Sequence, residues 1–232
     1  MSTPSAIRKP ESGATYSDQD FSDGNYAHET LRDCTFHNCN FAGANFRASD
    51  LSSTIFKQCQ FNDSESDHPS DFSQATLREA TFDRCNLTVV DLVSVSAYAV
   101  SFSNCQMQGA DLSKSDFRLP IGQSELADVT IADCNLSFAN LSNNYLVACT
   151  LTGNRMTECS LDYTDLTDAD LQGSDLHNIS AVSVTLRGAD LRGATIHGLD
   201  PRDIDLTDTK ILPDQVGALL NTLGIILADE AQ

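Results

Sequence analysis

Residues 36–46 read FHNCNFAGANF. Phe36, Phe41 and Phe46 recur every fifth residue, and Cys39 and Ala44 stand two places before the second and third of them. A helix buries a stripe at a spacing of about 3.6 residues and a strand alternates with a period of 2, so a strict five fits neither. Following the register outward shows what it does fit.

Upstream it passes through Leu31 and Tyr26 to Phe21, and downstream through Leu51 and Phe56 to Phe61. A second run extends from Phe72 to Phe117, and a third from Ile131 through a series rich in leucine to Ile211. Ten of the eleven phenylalanines fall on this register, Phe138 being the exception. The position two before the centre is typically small: alanine at Ala75, Ala110, Ala169 and elsewhere, and all eight cysteines sit there too. A five-residue unit that ends in a turn forms one side of a square coil, its central side chain pointing to the axis and the small companion filling the space beside it. Four sides make a coil of about 20 residues, and coils stack at about 4.8 Å. The three other positions carry Ser, Thr, Asp, Asn, Gln, Arg or Gly, which suit turns and stay hydrated. The expected fold is an all-β solenoid of about nine coils, roughly 40 Å long, with Phe36, Phe56, Phe82 and Phe102 in one column. Local irregularity is expected at Ala97, Ala181 and Pro201, where the register holds with little apolar bulk.

Fourteen Lys and Arg against thirty-three Asp and Glu leave a formal charge of −19. That charge argues against a direct hold on nucleic acid or an anionic membrane and favours a basic partner. Residues 1–20 read as a poorly ordered tail, since MSTPSAIRKPESG has no apolar stretch of the kind a signal peptide needs. No segment approaches the roughly 18 apolar residues of a membrane span, and a cytoplasmic location is expected.

The repeat, spanning 21–212, breaks twice. Phe61 to Phe72 leaves about six surplus residues in a loop at about 62–71, and Phe117 to Ile131 about nine in a loop at about 118–130. Both read as surface slack, which costs little, or as recognition devices on a rigid scaffold. On the second reading the first loop offers Asn62, Asp63, Ser64, Glu65, Ser66, Asp67, His68 and Pro69 to a partner. The second offers Arg118, Leu119, Pro120, Ile121, Gln123 and Glu125, with Leu119 and Ile121 exposed. Beyond Ile211 the period changes. Pro213 and Asp214 open a short helix and Gly224 closes it, with Val216, Leu219, Leu220 and Leu223 at helical spacing. Residues 213–232 therefore cap the last coil, or build a twofold interface from Val216, Leu219, Leu220, Leu223, Ile225 and Ile226, with Leu227 alongside.

Catalysis wants a base beside a nucleophile in a partly dry hollow, whereas a filled coil has a convex surface, so an enzyme is not expected. Cys34, His37 and Cys39 are superficially metal-like, but zinc spacings such as CxxC are missing and His37 points outward in a square coil. No metal or cofactor is expected. The sequons at Asn86, Asn135, Asn140 and Asn178 are the repeat itself and carry no information.

The units ANLSN, ADLQG, SDLHN and ADLRG resemble the pentapeptide-repeat family, with its pattern A(D/N)LXX. That resemblance implies a right-handed quadrilateral β-helix. The early loop, the longer mid-chain loop, and the stretches CNLSFANL, GNRMTEC and LLNTLGI are similar to the Qnr proteins within it. The resemblance implies binding to the type II topoisomerases DNA gyrase and topoisomerase IV, protection of them from fluoroquinolones, and a homodimer joined through the C-terminal ends. The acidic surface then serves either solubility or mimicry of DNA, which carries one charge per about 1.7 Å. The same repeats serve unrelated proteins, and an acidic interaction scaffold with another partner stands as the alternative.

Overall fold

A computed structural model of the chain describes residues 9–63, 68–122 and 124–226. Short strands β1 (Thr15–Ser17), β2 (Thr35–His37), β3 (Ile55–Lys57), β4 (Thr81–Asp83) and β5 (Val100–Ser103) stack in parallel. A hairpin of β6 (Arg118–Ile121) and β7 (Ser124–Ala127) follows, and β8 (Val129–Ala132) then closes onto β5. The registers Phe36↔Phe56, Phe56↔Phe82, Phe82↔Phe102 and Phe102↔Ile131 place each fifth residue directly over its counterpart one coil away. The other three sides are held by single parallel bridges in the same register, such as Asn40↔Gln60, Asn45↔Asp71 and Asp50↔Thr76. The architecture is the right-handed quadrilateral β-helix expected of the repeat.

Each position in the unit has a physical task. The residue two past the centre turns the corner in the left-handed region, as at Asn38 (φ 52°) and Asp133 (φ 54°). The Asp or Asn before the centre clamps that corner, its Oδ1 accepting the N–H two residues on: Asn40 from Ala42 at 3.0 Å, Asp71 from Ser73 at 2.7 Å, Asp111 from Ser113 at 2.9 Å. This is the local side-chain turn that Asp and Asn favour. The small residue two before the centre points inward beside the main core side chain. A hydroxyl there can donate to the carbonyl of the preceding side's centre one coil earlier, as Thr54 Oγ1 does to Leu31 (2.7 Å) and Ser174 Oγ to Leu151 (2.8 Å). Among the described residues no buried side-chain nitrogen or oxygen lacks a partner.

The coil starts one unit earlier than expected. Residues 15–20, read from sequence as part of a poorly ordered tail, include β1, and Tyr16 stacks on Phe36 with ring centroids 5.3 Å apart. Residues 1–8 lie outside the described residues. Of the three weak steps, Ala97 shows no irregularity. Ser96 keeps its bridges to Thr76 and Asp116, and buried Val95 and Val100 occupy the neighbouring inward positions that usually hold Ala or Cys. At Ala181 and Pro201 the side does break. The ladder ends at Ser180 among the described residues, and Asp200 instead accepts turn hydrogen bonds from Asp203 and Ile204. A cleft of about 430 Å³ opens beside Ala181, Val182 and Ile204.

Candidate functional site

The first insertion leaves the coil after Phe61 and returns at Ser70, where a tight neck closes it. The buried Ser70 Oγ lies 2.6 and 2.7 Å from the carbonyl oxygens of Phe61 and Phe41, donating to one at a time. Half-buried Asn62 anchors the outgoing strand by accepting from Asn86 Nδ2 at 3.0 Å, while Asp63, His68 and Pro69 are exposed. Ser64, Glu65, Ser66 and Asp67 lie outside the described residues. Ser70 thereby ties the neck to two successive coils.

The second insertion is a structured hairpin, a departure from the loop expected. Gly122, at φ +63°, supplies the positive dihedral of the tight turn; Gln123 lies outside the described residues. The pairs Arg118↔Ala127, Leu119↔Leu126 and Pro120↔Glu125 sort the side chains by the strand period of two. Leu119, Ile121 and Leu126 share one face, and Arg118, Pro120 and Glu125 the other. Arg118 braces the base: its guanidinium reaches Asp116 Oδ1 at 2.9 Å and Glu125 Oε2 at 2.8 Å, and lies 5.9 Å from the Tyr145 ring centroid. Those carboxylates raise its already high pKa, so it stays a cation. Leu119 is half-buried, not exposed as expected. The exposed apolar pair is Ile121 and Leu126, the second of which sequence reasoning missed.

The C-terminal element is a 3-10 turn (Pro213–Gln215) running into α1 (Val216–Thr222). Leu219 packs against the core cluster, Leu220 is half-buried, and Val216, Leu223, Ile225 and Ile226 are exposed, Ile226 at 87%. Leu227 lies outside the described residues. The cap is held by a residue not foreseen from sequence: the buried Gln215, whose Nε2 donates to Leu191 O (2.8 Å) and Ala194 O (2.7 Å) while its Oε1 accepts from Leu212 N (2.6 Å).

Comparison with known proteins matches the family model for pentapeptide repeats at residues 31–64, 70–105, 134–173 and 169–208, more than half of the chain. The chain belongs to the pentapeptide-repeat family. Among solved structures it is similar to a trypsin-treated variant of QnrB1, described as a plasmid-mediated fluoroquinolone resistance protein. The identity there is 30%, with 93% of this chain and 99% of that one covered and a TM-score of 0.74. Full-length QnrB1 gives 29% identity, 94% and 100% coverage, and the same TM-score of 0.74. A search of curated protein sequences finds no match.

Within this pentapeptide-repeat coil the cysteines belong to the core. Cys39, Cys59, Cys85, Cys105 and Cys134 form one column, and the thiols of Cys59, Cys85 and Cys105 donate to the carbonyls of Phe36, Phe56 and Phe82 at 3.4–3.6 Å. Burial pushes Cys149 up to about 11 and Cys159 to about 12, so both remain thiols at neutral pH. His37 is exposed while Cys34 and Cys39 are buried, and no metal-holding cluster of His, Cys, Asp or Glu occurs among the described residues. No helix among them is long and apolar enough to cross a membrane.

Proposed function

We propose that this chain binds type II topoisomerases, DNA gyrase and topoisomerase IV, and protects them from fluoroquinolones without itself catalysing a reaction. The observation that carries this reading is the likeness to QnrB1 over nearly the whole of both chains. The charge of −19 suits the basic surface on which such an enzyme holds DNA. The exposed Ile121 and Leu126 of the hairpin and the first insertion give a rigid rod two features that a particular partner can recognise. Titration into a gyrase supercoiling reaction held at an inhibitory ciprofloxacin concentration tests the reading, and supercoiling should recover. Deleting residues 62–69 should weaken recovery and deleting the hairpin should weaken it more, both with the fold intact. Inhibition without any recovery would discard protection.

The apolar end around α1 is proposed as the homodimer contact. Light scattering should report twice the chain mass, and Ile226→Glu should halve it, because so exposed a side chain contributes nothing to folding of the single chain. Unchanged mass in that variant would remove the dimer.

A further inference from the structure

Phe138 is the one phenylalanine outside the core register, and the structure gives it no internal task. It is 61% exposed and sits at a corner with φ 63°, a conformation that costs a bulky side chain more than it costs Gly, Asn or Asp. The bridges Gln60↔Asn86, Asn86↔Gln106 and Gln106↔Asn135 align this corner along the rod. The first insertion emerges there after Phe61, followed on successive coils by Val89, Gly109 and Phe138. Val89 is 47% exposed. A Cβ at Gly109 would stand 3.2 Å from Val89 Cγ1, so Val89 leans over the bare glycine, and Phe138 follows one coil further on, two coil spacings or about 10 Å from Val89 along the rod. Two residues past Val89 and Gly109 stand the carboxylates Asp91 and Asp111, in a row with Asp71 through the bridges Asp71↔Asp91 and Asp91↔Asp111, and the row continues to the neutral Asn140 on the coil of Phe138.

We propose that this corner is a docking edge, on which a basic protein surface packs an apolar side chain against Val89 and Phe138. Flanking Lys or Arg of that surface meet the carboxylate row. Charge complementarity selects the occupant: an apolar ridge beside aligned carboxylates, on a chain of net charge −19, favours a cationic protein and disfavours nucleic acid or an anionic membrane. The inference rests on the topoisomerase reading and specifies which edge of the rod that partner touches.

The experiment measures binding of reconstituted DNA gyrase to the full-length chain and to Phe138→Asn, Val89→Thr and Val182→Thr. Asn tolerates the left-handed corner better than Phe, so Phe138→Asn should keep or raise the melting temperature. It should weaken gyrase binding about tenfold, as loss of a central aromatic anchor does. Val89→Thr should weaken binding less, and Val182→Thr, an exposed valine away from this corner, should leave it unchanged. Wild-type binding retained in Phe138→Asn overturns the docking edge and leaves the topoisomerase reading standing. Failure of the wild-type chain to bind gyrase removes both. A fall in chain mass by light scattering in Phe138→Asn would make the ridge a contact between copies and overturn the proposal.

Discussion

The two halves of the rod share one repeat and fill it differently. Before the hairpin the interior is aromatic: Tyr16, Phe36, Phe56, Phe82 and Phe102 form a continuous stack with centroids 4.9–5.3 Å apart, and Phe21, Phe41 and Phe61 a second. After it the column passes to Ile131, and leucine fills the axis until one side fails at Ala181 and Pro201. The first half keeps register across Ala97 and across an insertion of its own, and the second loses a ladder where apolar bulk runs short. In a solenoid each coil contacts only its neighbours, so stability is local and such a gap is not repaired from a distance.

The largest effect that would break this contrast is in the aromatic stack. Phe56 lies 5.2 Å from Phe36 and 4.9 Å from Phe82, with edge contacts to Phe41 and Phe61. Phe56→Ala should cost about 4 kcal/mol, from lost burial, an unfilled cavity and lost ring contacts. Leu171→Ala, in the same column of the second half, should cost about 3 kcal/mol. Urea titration gives both losses, and hydrogen exchange should show amides around 179–206 opening before those of β2–β5 in the wild-type chain. Equal losses, or exchange beginning in the aromatic coils, would mean that ring stacking adds nothing to the register itself.

The core was legible because a filled square coil repeats its demand every five residues. Phe36 and Leu171 announce the same position whatever lies between them. Tyr16 obeyed the rule, with Ala14 as its small companion, but the polar and Pro-bearing residues before it masked the start of the coil. Ala97 misled because the volume missing at the centre had moved to Val95 and Val100, which a reading of centres alone does not count. The hairpin was hidden by Pro120, which argues against a strand inside a sheet yet is harmless in an isolated two-stranded ribbon. Gln215 gave no signal by spacing, since its role depends on where the turn after Leu212 delivers it. The docking corner needed the coil count: Val89, Gly109 and Phe138 are neighbours only once the surplus of the second insertion is known to leave the coil.

The halves also differ in how they hold carboxylates, and this gives the smallest effect with the sharpest sign. Burial holds the Asp91 carboxyl above its usual range, with Asp71 and Asp111 adding repulsion. Asp190 is held below that range by its hydrogen bonds to Arg192, Nη2 to Oδ2 being 2.6 Å. For Asp91 the folded chain binds its proton more tightly than the unfolded chain, so stability falls as pH rises through the raised value. For Asp190 the unfolded chain binds the proton more tightly, so its contribution is present above the unfolded carboxylate range and is lost as pH falls through the lowered value. Asp91→Asn should therefore stabilise at pH 7, by under about 1 kcal/mol because solvent screens a half-exposed group, and the gain should fade on acidification. The amide oxygen can still accept the Val93 N–H that Asp91 now binds at 2.9 Å, which leaves charge as the variable that changes. Asp190→Asn should destabilise at pH 7 and cost less as the pH falls. Thermal melts of both variants between about pH 2 and pH 7 read the two signs, the Asp190 change falling below the unfolded carboxylate value of about 3.9. Matching slopes would show that the row Asp71, Asp91 and Asp111 is screened well enough to carry no repulsion, and that within the fold it acts only by accepting the turn N–H groups of Ser73, Val93 and Ser113.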